Sequence, residues 1–200
     1  MKKMNDKKST KLAAVIEIEP TFAKLKLSQL KKGKPDDLEN LESSLHIGSE
    51  ICLSGKIGPE NFRELAKILR GFGKIIQDYG AETCPVIAGH ELLSAENHVF
   101  ILERLRSRSG CTPKTHGFGV ENALICQEAM RSSGIQLKES RGSVIVAVVG
   151  SGTVGVTVFT DGRVVSVHAF PAGPLKLNRL FSTIQDMPVS YTHLTLPTIY

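Results

Sequence analysis

Alternation at period two opens the chain. Leu12 to Ile18 is an apolar run, Phe22 to Leu30 alternates Phe, Lys and Leu, and Glu19-Pro20-Thr21 separates them, a pattern that predicts an antiparallel hairpin. A polar stretch from Lys31 to Ser44 leads to a short strand expected near Leu45. The period then changes. Phe62, Leu65, Ala66, Ile68, Leu69, Phe72 and Ile75 share one helical face, with Gly58-Pro59-Glu60 as a start signal and Tyr79-Gly80 as a stop. Cys84 to Ala88 has strand length, and Ala95 to Arg108 carries Val99, Phe100, Leu102 and Leu105 at helical spacing before Gly110. Thr112 to Gly117 predicts another strand, and Val120 to Arg131 a helix bearing Ala123, Leu124, Cys126 and Met130.

The second half repeats the opening. Ser143 to Phe159, SVIVAVVGSGTVGVTVF, reads as two apolar strands hinged on Gly150-Ser151-Gly152-Thr153. A third strand at Val164 to Ala169 follows the turn Thr160-Asp161-Gly162-Arg163, and a helix is expected from about Gly173 to Ile184. Strands alternating with helices predict an α/β fold, one unit used twice and beginning each time with a meander. A turn of small residues exposes backbone N–H groups that can hold a phosphate oxyanion, although Gly, Ser and Thr are also ordinary turn residues. The flanking Val148, Val149, Val154 and Gly155 offer no carboxylate for a metal ion or water.

Composition changes this picture little. Of the 200 residues, the first eleven, MKKMNDKKSTK, hold five Lys against one Asp and so most of the net charge of +5. Residues 1–10 are expected to be a disordered basic tail rather than a specific nucleic-acid surface. Cys52, Cys84, Cys111 and Cys126 show no zinc-ligand or disulfide spacing, which suits reduced thiols and a cytoplasmic location. No apolar run reaches the roughly 18 residues that span a bilayer, so no membrane partner is expected. At the other end, Val189 to Thr198, VSYTHLTLPT, resembles the translation of a transposase-end sequencing adapter. Residues 188–200 are therefore expected to be a non-native tail and the chain a fragment whose native sequence continues past Met187.

Several strings in order resemble the exopolyphosphatase/guanosine pentaphosphate phosphohydrolase (Ppx/GppA) family, over about Leu12 to Ser182. GKIGPENFRELAKILRGFGKIIQDYGAE is similar to G-R-L-S-P-E-A with its closing Y-G-V-E, AGHELLSAEN to A-T-S-A-L-R-E-A-R-N, and GFGVENALI to S-G-x-E-E-A-R-L-I. GSGTVGVTVFTDGRVVSVHAFPAGPLKL resembles G-G-G-S-T-E-L-V-L-G-x-x-G-R-I followed by S-L-P-L-G-A-V-R-L. The resemblance implies a ribonuclease H-like, actin-superfamily fold of two lobes: residues 11–125, and an incomplete second lobe over 126–187. It also implies Mg²⁺-assisted hydrolysis of the terminal phosphoanhydride of polyphosphate or guanosine pentaphosphate, with a homodimer as the expected full-length assembly. Glu121 would be the general base, Gly150, Ser151, Gly152 and Thr153 the phosphate cradle, and Glu17 the candidate metal ligand.

The same strings show losses. The family loop D-I-G-S-N-S-F-R-L falls on Glu17 to Leu25, so Glu19 places negative charge where phosphate would approach and Pro20 removes a donor. The family's Asp falls on Val148 and its Glu on Gly155; its two phosphate-site arginines fall on Leu93 and His46. The resemblance thus implies a phosphatase with eroded catalytic motifs, or alternatively a non-catalytic phosphate- or nucleotide-binding protein. From the residues alone, Glu121 also reads as an ordinary acidic residue in a helix's first turn, His46 and His90 as solvent-facing or packed, and Phe22 and Phe170 as core.

Overall fold

The computed structural model describes residues 11–31, 34–81, 84–109, 112–134 and 142–185. The basic tail and the suspected adapter segment lie outside them, as do Gly110 and Cys111.

The opening hairpin forms as its alternation dictates, with β1 (Lys11–Ile18) antiparallel to β2 (Phe22–Lys31). The polar stretch departs from expectation. Instead of leading to a strand at Leu45, Lys34–Ser44 is itself strand β3, paired along the edge of β2. The backbone ladder to β2 and Leu41 packed on the core hold it, and cross-strand charge adds to the pairing, with Lys26 meeting Asp37 at 2.9 Å and Lys24 meeting Glu42 at 3.4 Å. A charged edge also discourages pairing with other chains. Helix α1 (Ile47–Ser54), which the sequence pattern does not reveal, leads into α2 (Pro59–Tyr79), with Pro in its first turn and Gly80 left-handed at its end.

Strand β4 (Val86–Ala88) pairs parallel to β1, a 3₁₀ turn follows at His90–Ser94, and α3 (His98–Ser109) returns the chain to β5 (Pro113–Thr115). The sheet order β3-β2-β1-β4-β5, an antiparallel meander extended by two parallel strands, is the ribonuclease H-like arrangement. Its core joins Ile16, Ile18, Leu25 and Leu27 of the sheet to Leu65 and Leu69 of α2 and Leu105 of α3, all essentially inaccessible. Each such side chain contributes about 1.5–3 kcal/mol on burial.

Helix α4 (Phe118–Ser132) precedes a second meander, β6 (Ser143–Val149), β7 (Val154–Thr160) and β8 (Arg163–Phe170), then α5 (Pro174–Gln185). The β7–β8 turn places Asp161 and Gly162 at φ 49° and 74°, the left-handed pair of a two-residue hairpin. Cys126 and Met130 of α4 pack on Phe159, with Val144, Val146 and Val148 around them. The other face of β6 leaves Ile145 and Val149 exposed, and Phe170, expected in the core, is half exposed. No helix among the described residues is long and apolar enough to cross a membrane.

Candidate functional site

Repeating the meander brings two tight turns face to face. The β1–β2 turn, Glu19 to Thr21, and the β6–β7 turn, Gly150 to Thr153, border a cavity of about 210 Å³ together with the 3₁₀ turn and the start of α4. Glu17, Glu121, Gly150, Ser151 and Thr153 all line it, so the sequence-derived candidates share one place in the fold. On the other side of the 3₁₀ turn, Gly152 and Thr153 also border a larger cavity of about 670 Å³ between α1 and α5.

The Gly150–Thr153 loop is not an open nest. Gly150 N–H is spent inside the turn, donating to Thr153 O at 2.8 Å, so it is unavailable to a ligand. Gly152 N–H and Ser151 Oγ–H face the 3₁₀ turn. Both are taken by one carboxylate: Glu91 Oε1 accepts from Gly152 N–H at 2.8 Å, and Glu91 Oε2 accepts from Ser151. Gly173 lies so close beneath the loop that a Cβ there would come within 2.5 Å of the Gly152 and Thr153 backbone. Leu175 N–H, on α5, donates to Ser151 O at 2.9 Å. The loop is therefore fixed from behind and filled from the front.

Glu121 is equally engaged. It sits in the first turn of α4, where its own amide donates to Gly117 O at 3.2 Å, and its carboxylate reaches across to the 3₁₀ turn. His90 N–H donates to Oε2 at 2.8 Å, and Nδ1 lies 3.0 Å from Oε1. The Nδ1–H tautomer of His90 is the one that pairs with an ionised carboxylate. The imidazole packs edge-on to Phe118 with centroids 4.8 Å apart, and Nε2 is buried with no partner among the described residues.

Acidic side chains crowd together here, and Lys24 offsets them only in part. Burial, and then the carboxylates of Glu121, Glu17 and Glu91, push the Glu19 carboxyl up to about 8. Burial also raises Glu17, partly offset by Lys24 opposite it on β2 and reinforced by Glu121. No Lys or Arg lines the smaller cavity. Among the described residues no group of three His, Cys, Asp or Glu side chains is disposed to hold a metal ion.

The positions at which the chain departs from the Ppx/GppA strings are occupied in other ways. Val148 lines the cavity with its apolar side chain, and Gly155 leaves space that Asn122 and Phe118 fill. His46 is the residue just before α1, and Leu93 lies within the 3₁₀ turn. His90 and Glu91 are the contacts that sequence reasoning missed. A signal existed, since both fall inside AGHELLSAEN where the family string has Ser and Ala.

No family model and no curated protein matches the sequence. Solved structures do match. An exopolyphosphatase from Cytophaga hutchinsonii superposes with a TM-score of 0.74 at 16% identity, covering 86% of this chain and 54% of that one. Two Aquifex aeolicus Ppx/GppA structures each give 0.65, at 19% and 21% identity, covering 88% and 86% of this chain and 61% and 56% of theirs. The chain thus has the α/β fold of the Ppx/GppA structures, and spans between 54% and 61% of their length.

Proposed function

We propose that this chain is a divergent Ppx/GppA-type protein whose cleft between the two sheets receives the terminal phosphate of a polyphosphate or guanosine pentaphosphate-type anion. The observation that supports this most is the Gly150–Thr153 loop, which already binds a carboxylate through Ser151 and Gly152 in the same cleft as Glu121. Backbone and hydroxyl donors that accept one oxyanion geometry suit another. In the hydrolytic reading Glu121 takes the proton from an attacking water as the phosphoanhydride bond breaks, and the loop donors steady the transferred phosphoryl oxygens.

A second reading, phosphate binding without turnover, draws on a specific observation. Both Glu121 oxygens are in hydrogen-bond contact with His90, and Glu17, Glu19 and Glu91 surround the cleft with no cation lining it. With its carboxylate held against His90, Glu121 is less free to take a proton from water, and the acidic lining stabilises a developing negative charge less. Release of phosphate from long-chain polyphosphate and from guanosine pentaphosphate, with Mg²⁺ supplied, separates the two. Turnover by the protein that falls at least about 100-fold in Glu121→Gln supports hydrolysis. Saturable binding with no turnover supports the second reading, and neither binding nor turnover overturns both.

A further inference from the structure

We infer that Glu91 is a built-in ligand of the oxyanion loop, an internal surrogate for phosphate that must leave before an external phosphate enters, and so determines what the loop accepts. This rests on reading the loop as an oxyanion site. Glu91 lies on the 3₁₀ turn of the first sheet's side and reaches residues 60 and 61 positions later in the chain. Its two oxygens engage two different donors, as two oxygens of a phosphate would. A Cβ on Gly152 would stand 3.3 Å from Glu91 Oε1, so the carboxylate lies directly against the loop backbone. Two anions cannot share these donors, because the second would face the charge of the first without a counter-ion.

The same turn couples the two halves of the site. His90 grips Glu121, and its chain neighbour Glu91 grips the loop. An oxyanion that displaces Glu91 moves the turn that holds the base. The occupant is tethered, so it competes at a high effective concentration, and the apparent affinity for an external anion is reduced by the fraction of time the loop is empty. The larger cavity, which Glu91 also borders, gives the displaced side chain room to swing.

Calorimetric titration with tripolyphosphate in Mg²⁺-free buffer tests this on the full chain, using Glu91→Ala and the volume-conserving Glu91→Gln. The expected result is binding at least about tenfold tighter in both variants than in the unsubstituted protein. Adding Ser151→Ala to Glu91→Ala is expected to remove most of that gain. The Gly152 amide resonance supplies a second readout: it shifts upfield in Glu91→Ala and returns downfield as inorganic phosphate is added. Equal affinity in all Glu91 forms, weakened by Ser151→Ala, overturns the role of Glu91 while leaving the loop as an anion site. No binding in any form overturns the inference and the loop reading together. Loss of folding in Glu91→Ala leaves the affinity of Glu91→Gln to decide.

Discussion

Asn122 Nδ2 donates to Thr157 Oγ1 at 2.6 Å, and both side chains are buried between α4 and β7. The amide also approaches Cys126 Sγ at 3.8 Å. This is the polar pin in an otherwise apolar contact, one residue after Glu121, and it fixes how α4 presents its first turn to the cleft. Thr157→Val keeps the volume but strands the Asn122 donor away from water. The expected cost is about 1–3 kcal/mol in urea unfolding. Removing the exposed Ser143–Thr160 hydroxyl pair is expected to cost less than about 0.5 kcal/mol. Equal effects at the two sites would show that α4 is not held as described.

Gly155 stands where the similar Ppx/GppA string has a carboxylate, and placing one there is an obvious attempt to add chemistry. The packing forbids it. A Cβ at this position runs into the Asn122 side-chain oxygen and stands 2.9 Å from the Phe118 ring. Gly155→Ala is expected to destabilise by about 1–3 kcal/mol as Asn122 and Phe118 shift. Gly155→Glu is expected to cost more and to yield no phosphatase activity, readable from thermal unfolding and phosphate release. A Gly155→Glu protein as stable as the original would mean that α4 lifts away easily.

Most elements were legible because their residues carry a period. The β1–β2 and β6–β7 hairpins, and the Pro59 and Gly80 ends of α2, follow from alternation and start or stop signals that local sterics enforce. Strand β3 was hidden because its polar run lacks alternation, and it is held by its backbone ladder to β2 and by Leu41 against the core, neither visible in its own pattern. The site divides the same way. Gly150 to Thr153 and Glu121 stand out as a turn and a helix start, whereas Glu91 acquires meaning only when folding brings it to Ser151 and Gly152. Contacts that span some sixty residues leave no local periodicity.

The acidic cleft makes stability depend on pH in a definite sense. Glu19 has an ordinary value of 4.5 and is pushed up to about 8 in the fold. Between those values the unfolded chain is ionised at Glu19 and the folded chain is not, so folding takes up a proton. Stability from this group is full below about pH 4.5, declines as pH rises, and is lost above about 8. Glu19→Gln is neutral at every pH. It is expected to raise the melting temperature by several degrees at pH 8.5 and by little at pH 5, in Mg²⁺-free buffer. A benefit that is equal at both pH values would assign the effect to packing against Gly89 instead.

Glu121 and Glu19 are coupled through the same cavity, and the coupling has a sign. Glu121 follows burial as the next cause holding the Glu19 proton in place, ahead of Glu17 and Glu91. Glu121→Gln removes that charge while keeping an oxygen that can accept the His90 amide. The Glu19 carboxyl should then ionise at lower pH, and carboxyl-carbon NMR should record its midpoint moving down from about 8. Unfolding measurements should show a shallower loss of stability across the same window. Glu121→Gln also exchanges a charge-assisted bond to His90 for a neutral one, so stability at pH 5 should fall by about 1–2 kcal/mol. A Glu19 midpoint unchanged by this substitution would mean that burial, with Glu17 and Glu91, holds the proton, and that Glu121 and Glu19 do not act on one another across the cleft.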